Sequence, residues 1–569
     1  MSICTKTSTM GSKKYSVHHH KFQQPPIFFL FFVSFIIFIL TLSSYKQPKL
    51  GGAADDDDDQ HHQGSDISPN VSEVGRLNRK RAEWVDAVVE ELGIIKKRIV
   101  RMGLVNMEDE EGFMLEEREE DDSSGGGSSL ETVGIKFDRV REGMKWEELY
   151  PEWIDEEVKF GVPPSCPDIP LAVEESSNNK VDVLVARGPC GVRDVFRLQV
   201  NLVVADLAVR NGGGELKDTA VLVVFIGECG PMMEVFTCDD LLREGDGFWI
   251  YKPNLNKLRQ KMEMPIGSCQ LAPGDMRVKA LAIQKPREAY VTLLHSSEAY
   301  VCGAIALAQS IKLTNSTKDL ILLADASITS SSMCGLRAAG WKIKVIRRIR
   351  SPWARKGDYN EWNYSKLRVW QLTEYDKVIF IDSDLVVVRN IDHFFQHRQL
   401  SAAGNDGMLF NSGVMLIEPS DCMFKTLMKK TPVLVSYNGG DQGFLNEVFT
   451  WWHRWPAKIN ALKNYADGDE LRQVPNGTFA IHYLGLKPWM CYRDYDCNWD
   501  MDNHHVFASD MAHARWWEIY DTMLEDLRPY CALTTKMDER IRKWRNIAGR
   551  ADAHWSIKPT DPRRKNANR

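Results

Sequence analysis

Charge of one sign is what this sequence has little of. Lys and Arg number 72 against 78 Asp and Glu, a formal net charge of −6 over 569 residues. No basic stripe interleaved with aromatics occurs, so the electrostatic footprint of a nucleic-acid binder is missing, and any anionic ligand has to be held by a local arrangement of side chains. Long apolar runs are scarce too, with Ile27 to Leu42 the one stretch of membrane-like composition. Acids are absent ahead of it, from Met1 to Pro26, where Lys6, Lys13, Lys14 and Lys21 stand. No small-residue cleavage pattern follows the run closely, which argues against a removed signal peptide. The expectation is a cytosolic tail over 1–26, a signal anchor over 27–44 and a luminal remainder, that is, a single-pass type II membrane protein.

What is present allows a large folded body. Hydrophobic residues make up 43% of the chain, enough for a large core, and a length of 569 residues suggests two to four domains. Twelve cysteines suit an oxidising lumen, and Cys491 with Cys497, or Cys229 with Cys238, are candidates for short-loop bridges. Asn70, Asn315, Asn363 and Asn476 open N-glycosylation triplets. Residues 45–130 read as stem and linker, carrying the self-repelling run Asp55 to Asp59 and the acidic, glycine-rich patch Glu108 to Ser129. Within it Val88, Leu92, Ile95, Ile99 and Met102 recur at three- and four-residue spacing, the seam of a lone amphipathic helix or of a short coiled coil that would pair two stems into a homodimer. Residues 131–284 carry strand-like runs at Val181 to Val185, Leu198 to Val204 and Val221 to Ile226, and read as an α/β accessory region without a chemistry-bearing motif.

From residue 285 the pattern sharpens into alternation. Strands are predicted at Ala289–Leu294, Asp319–Leu323, Lys342–Ile346 and Val378–Ile381, with helices over Glu298–Ile311 and Ser365–Thr373. Alternation of this kind implies βαβ units, hence an α/β, doubly wound, mostly parallel Rossmann-like sheet over 285–535, followed by a basic C-terminal tail over 536–569. Ligands bind such sheets beyond the carboxyl ends of the strands.

Asp382 and Asp384 sit at one such end, directly after the apolar run Val378-Ile379-Phe380-Ile381. Charges there are costly without a cationic partner. Residues i and i+2 of an extended chain point the same way, about 7 Å apart, so the pair can converge on one ion. Hard oxygen ligands suit Mn²⁺ or Mg²⁺, ions that keep positions open for phosphate oxygens. The same spacing at Asp467/Asp469, Asp494/Asp496 and Asp500/Asp502 lacks the buried strand in front. Two glycine-bearing turns follow, "FNSGVMLIEP" from Phe410 and "YNGGDQGFLNEVF" from Tyr437, where Asn411 and Asn438 could bond sugar hydroxyls. In "IHYLGLKPWMC", His482 can complete the ligand set and Lys487 can hold a diphosphate.

These four segments, in this order, resemble the glycogenin-like family of retaining, GT-A-fold glycosyltransferases, from about Glu288 to Trp489. The motifs are Asp382-Ser383-Asp384, Asn411-Ser412-Gly413, Gly439-Gly440-Asp441-Gln442-Gly443 and His482 through Trp489. The resemblance implies that Asp382, Asp384 and His482 bind Mn²⁺ on a UDP-sugar, that Lys366 lies near the donor and matters for activity, and that Asn411–Gly413 and Asn438–Gln442 line the donor sugar. It places Gly485 and Lys487 at the diphosphate, with Ser383, Tyr483, Leu484 and Leu486 in the same donor-binding segments, and Ala289 to Tyr300 at the uridine. Asp441 is expected to orient the donor. This chain departs from the glycogenin pattern at Asn438, where an Asp is usual, and in a His-to-Lys segment one residue shorter. The tryptophan-rich "WWHRWP" and the "HYLGLKPWMCYRDYDCNW" ending are similar to plant xylan α-glucuronosyltransferases, which implies UDP-glucuronate as donor, β-1,4-xylan as acceptor and a Golgi membrane location. Transferases using UDP-glucose, UDP-galactose or UDP-galacturonate, and a non-catalytic Golgi scaffold, are the alternatives. Arg355, Arg368 and Arg454 are candidates for gripping a glucuronate carboxylate, and Trp451, Trp452, Trp455 and Trp489 for either acceptor faces or core.

Overall fold

The computed structural model describes residues 83–93, 99–107, 129–172, 180–212, 221–274, 286–405, 408–466, 471–548 and 556–566. The expected cytosolic tail, signal anchor and acidic part of the stem lie outside these residues. Among the described residues no helix is long and apolar enough to cross a membrane.

The first sheet is built from α1 (Glu83–Gly93), β1 (Ile99–Val105), β2 (Ser129–Ile135), β3 (Val183–Arg187), α2 (Val195–Asn211), β4 (Leu222–Ile226), β5 (Leu241–Gly245), β6 (Phe248–Tyr251) and α3 (Leu255–Met262). Its strand order is β2-β1-β3-β4-β6-β5, parallel from β2 to β4. The expected seam over Val88 to Met102 is therefore no continuous helix. The chain leaves α1 at Gly93 and enters β1, and Val88 and Met102 are both fully buried against Val183, Val185 and Val224 of their own chain. An apolar residue packed into its own sheet cannot pair two stems, and the folded unit begins well before residue 131. Leu198 to Val204 is also no strand: it lies inside α2, which is buried on so many sides that helical periodicity vanishes from the sequence. Asp194 caps that helix, accepting from Arg197 N at 2.6 Å.

The second sheet comprises β7 (Glu288–Leu294), α4 (Val301–Leu313), β8 (Asp319–Ala324), α5 (Ser330–Ala339), β9 (Lys342–Val345), β10 (Lys377–Ile381), β12 (Ser401–Gly404), β13 (Phe410–Ile417), α6 (Asp421–Lys430), α7 (Asp441–Val448) and β14 (His453–Trp455). Its order is β14-β12-β13-β10-β7-β8-β9. The β10-β7-β8-β9 side is parallel, while β13 runs antiparallel to both β10 and β12. A small third sheet, β11 (Leu385–Val387), β15 (Ala461–Leu462) and β16 (Ala480–His482), sits beyond the end of β10. The predicted helix over Ser365–Thr373 is a 3₁₀ run over Asn363–Gln371. The architecture is mixed α/β with parallel strands at the heart of both large sheets.

One apolar cluster runs from Leu184 and Val200 through Tyr364, Trp370 and Phe380 to Phe444 and Trp451, so the two large sheets share a core. Polar links cross the same seam. Glu234 accepts from Thr450 and Trp451 backbone, Arg193 pairs with Glu447, and Cys238 is bridged to Cys422 rather than to Cys229, which pairs with Cys190. Cys491 does bridge Cys497. α8 (Asp510–Thr522) lies within the predicted 285–535 domain, and the expected basic C-terminal tail over 536–569 is packed where it is described: α9 (Thr535–Ala548) buries Ile541 and Ala548, and buried Arg563 donates to Trp489 O, Cys491 O and Cys531 O.

Lys261 of α3 is buried at the seam, its Nζ donating to Gln399 O at 2.7 Å and lying 4.5 Å over the Trp451 ring. Burial lowers its pKa from 10.5 to about 7, against the pull of Glu234 and Glu418 and with Arg398 adding repulsion. Between those values the unfolded chain binds more protons, so this group makes stability rise with pH from about 7 towards 10. Denaturation midpoints across that range are expected to climb less in Lys261→Met than in the unaltered protein.

Candidate active site

The β10 strand carries four buried residues, Val378 to Ile381, into the centre of the sheet and stops where Asp382 begins a turn. That turn is pinned on both sides. Asp382 N donates to Gly413 O at 2.9 Å, and Tyr483 N donates to Asp384 O at 3.0 Å. The strand pair β11–β16 sets Leu385 opposite His482, which brings an imidazole from 98 positions downstream to the acidic turn. Ligand atoms of Asp382, Asp384 and His482 lie within 4.8 Å of one another. Beneath the turn α4 presents Gly303, where a Cβ would stand 2.3 Å from Ser383 O, so only glycine lets the helix pass that close.

Two lysines complete the cluster. Lys366 Nζ lies 2.5 Å from Asp441 Oδ2 and 3.3 Å from Asp382 Oδ1, and it donates to Ser412 O at 3.1 Å. Lys487 Nζ lies 2.7 Å from Asp384 Oδ2. Ser412 Oγ donates to Asp441 Oδ2 at 2.8 Å, which ties the β13 motif to the first residue of α7. Three carboxylates thus face two ammonium groups, leaving one negative charge without a fixed partner. Burial pushes the Asp382 carboxyl up to about 6, opposed by Lys366 and reinforced by Asp384 and Asp441. Burial acts on Asp384 in the same sense, but Lys487 and His482 hold it well below the usual carboxylate range. Both lysines are raised despite burial, by Asp382 and Asp441 at Lys366 and by Asp384 at Lys487. Two hard carboxylates, an imidazole and an uncompensated charge fit a divalent cation of the Mn²⁺ or Mg²⁺ kind.

Other expected positions take different roles. Asn411 Oδ1 accepts from Gly413 N and Asn460 Nδ2, and its own amide donates to Asn405, so it shapes the turn rather than offering itself to a sugar. Asn438 Oδ1 accepts from Gly440 N, Gly443 N and Ser436 Oγ, organising the entry to α7 through Gly439, which holds φ 69°. Gln442 accepts from Ser412 N and donates to Tyr437 OH. Tyr483 is fully buried with its hydroxyl on Ala512 O, and Leu486 packs towards Cys491 and Tyr492, so both face away and only backbone of this segment borders the site, with Leu484 half-buried. Gly485 holds φ 71°, and Asn498 brackets the turn, accepting from Leu486 N and donating to Leu486 O.

The aromatic and arginine candidates are resolved by burial. Trp451, Trp452, Trp455 and Trp489 are all core residues, none more than 6% exposed, so none offers a face to an acceptor. Arg454 is buried and committed to Ser268 O and Pro151 O, Arg368 donates to Arg347 O and Gln371, and Arg355 is exposed. Of the other acidic pairs, Asp496 is buried beside Lys463 and accepts from Ser509 N, while Asp494 accepts from Thr560, so they serve the fold. Asp467 and Asp469 lie outside the described residues.

Asn460 is the residue that sequence reasoning missed. Its Oδ1 lies 3.0 Å from His482 Nδ1 while its Nδ2 holds Asn411, so the imidazole presents Nε2, 3.3 Å from Asp384, towards the acidic pair. A buried asparagine in "AKINAL" carries no periodicity or spacing that would single it out. Loss of such an orienting contact costs roughly 10- to 100-fold in metal affinity. Asn460→Ala is accordingly expected to weaken Mn²⁺ binding by that factor in calorimetric titration, with secondary structure unchanged. Gly413→Ala would set a Cβ 2.8 Å from the His482 ring and 2.8 Å from Asn411 Oδ1, and is expected to lose both metal binding and turnover.

Comparison with known proteins accounts for both halves of the chain. Residues 75–269 match the GUX1-5 N-terminal domain and residues 291–404 match glycosyl transferase family 8. UDP-glucuronate:xylan alpha-glucuronosyltransferase 2 of Arabidopsis thaliana is 49% identical over 465 residues, covering 76% of this chain and 78% of the relative. UDP-glucuronate:xylan alpha-glucuronosyltransferase 1 of the same plant is 45% identical over 452 residues, covering 76% and 68%. Human glycogenin-1 is 28% identical over 260 residues, covering 41% of this chain and 72% of the relative. Among solved structures, the galactosyltransferase LgtC overlays with a TM-score of 0.31 at 16% identity, over 42% of this chain and 99% of the other. At 49% identity over most of both chains, this protein belongs to the UDP-glucuronate:xylan alpha-glucuronosyltransferase family.

Proposed function

We propose that the chain transfers glucuronic acid from UDP-glucuronate to the backbone of β-1,4-xylan with retention, as α-1,2-linked side groups, on a GT-A-type sheet in a Golgi lumen behind a type II anchor. The observation that carries this reading is the meeting of Asp382, Asp384 and His482 beside Lys487 at the end of a buried strand. Those three side chains would hold Mn²⁺, or Mg²⁺ in its place, which when bound supplies Lewis-acid stabilisation of the diphosphate.

The chain's own groups do the rest. Lys487, at the turn after His482, is a point charge placed for the departing diphosphate, and exchanging its bond to Asp384 for phosphate oxygens keeps it paired. Asp441 begins α7 with its carboxylate fixed by Lys366 and Ser412, a rigid acceptor for donor-sugar hydroxyls. In the transfer, the bond from the glucuronate anomeric carbon to the β-phosphate oxygen breaks, a xylose hydroxyl oxygen bonds that carbon on the same face, and its proton leaves with the departing UDP. Front-side attack keeps the bond broken and the bond formed on one face, whereas a covalent intermediate needs a nucleophile on the opposite face.

A donor screen with xylohexaose tests the reading. Incorporation is expected from UDP-glucuronate, dependent on Mn²⁺ and abolished by EDTA, and Asp384→Ala is expected to lose at least about 100-fold in turnover. Incorporation from UDP-glucose, UDP-galactose or UDP-galacturonate, with none from UDP-glucuronate, would sink it.

A further inference from the structure

Two loops abut beside the turn that leads into α7. In one, residues 351–361, Ser351 Oγ donates to Gly439 O at 2.7 Å and Asn360 Nδ2 donates to Asn438 O at 2.5 Å. In the other, residues 431–440, Thr431 O accepts from Trp353 Nε1 at 3.1 Å. Their outer side exposes Tyr359 at 86%, Val433 at 71%, Val435 at 60%, Tyr437 at 54% and Trp353 at 37%. Leu434 packs into the core between the two valines, which forces them outward, and the Trp353 indole is fixed by its N–H. These apolar side chains are therefore held open by the fold on two hydrogen-bonded loops, and exposed apolar groups gathered beside a site mark a binding surface.

Its position says what it binds. Tyr437 OH accepts from Gln442, Gln442 accepts from Ser412 N, and Ser412 bonds Asp441, so Tyr437 links the strip to the charge cluster through three consecutive contacts. The incoming hydroxyl must reach the donor sugar held at that cluster, and a protein docked over the strip would block it. We infer that Trp353, Tyr359, Val433, Val435 and Tyr437 form the acceptor subsite, taking an uncharged chain of pyranose rings whose C–H faces stack on the aromatics. This rests on the reading of the chain as a xylan-directed transferase. A chain of pentoses suits the strip because its rings carry no exocyclic hydroxymethyl group to hold them off an aromatic face. Polar contacts at the cluster and apolar contacts at the strip then divide donor from acceptor recognition.

The test is xylohexaose binding by calorimetry, independent of turnover, in the unaltered protein, Tyr359→Ala and Val435→Asp. Loss of one aromatic contact is expected to weaken xylohexaose about threefold to tenfold, with UDP-glucuronate affinity unchanged. A subsite role is overturned if both variants bind xylohexaose as the unaltered protein does, if the unaltered protein does not bind it, or if the variants change only the oligomeric state in sedimentation. The outcomes separate the two claims: transfer to xylohexaose with unaltered binding in both variants removes the subsite alone. Weakened binding in both variants, with transfer from some other UDP-sugar, removes the donor assignment and keeps the subsite.

Discussion

Placing Asp382 and Asp384, both half-buried, at the end of a buried central strand is the constraint on which the rest of the site depends. An isolated carboxylate in such a place is costly, and it is tolerated only where opposite charge and hydrogen-bond donors converge. Lys366 pairs with Asp382 and Lys487 with Asp384, and His482 arrives through the β11–β16 pairing. Lys366 comes from one segment and His482 with Lys487 from another, so the cluster exists only in the completed fold. Gly303 and Gly413 are the steric counterpart: the backbone passes close enough to the acidic turn and the imidazole that a methyl group would collide.

The same logic explains why the region before residue 285 belongs with the site. Glu234 satisfies backbone N–H groups just beyond α7, Arg193 grips Glu447 on that helix, and Arg454 donates to Ser268 O and Pro151 O. The helix that begins with Asp441 is thus braced at its far end by side chains of the first sheet unit. At the other end of the chain, Arg563 donates to three carbonyls around Trp489 and Cys491, clamping the segment that carries His482 and Lys487. Polar groups of the transferase half are completed by both flanking regions, and buried polar groups left unpaired would carry a penalty.

Much of the site was readable because its signals are local. An apolar strand running into Asp-x-Asp, two glycine turns and a His-to-Lys segment each mark themselves within a dozen residues. Asn460 does not, since its importance lies in bonding two side chains distant in sequence. The tryptophans of "WWHRWP" stayed open between acceptor faces and core, because composition cannot tell an aromatic face turned to solvent from one sealed inside. Leu198 to Val204 misled for a related reason: a helix covered all round shows the same unbroken apolar run as a buried strand.

Taken by itself, the sequence determined the alternation of strands and helices after residue 285, the acidic pair at a strand end and the order of the four motifs, since these follow from backbone period and residue chemistry over short spans. Tertiary structure alone decided that α1 and β1 belong to a sheet rather than a stem, that the C-terminal segment clamps the site, and which aromatics remain open to solvent. Those outcomes depend on packing between segments up to several hundred residues apart, where burial is a property of the whole fold and no local pattern encodes it.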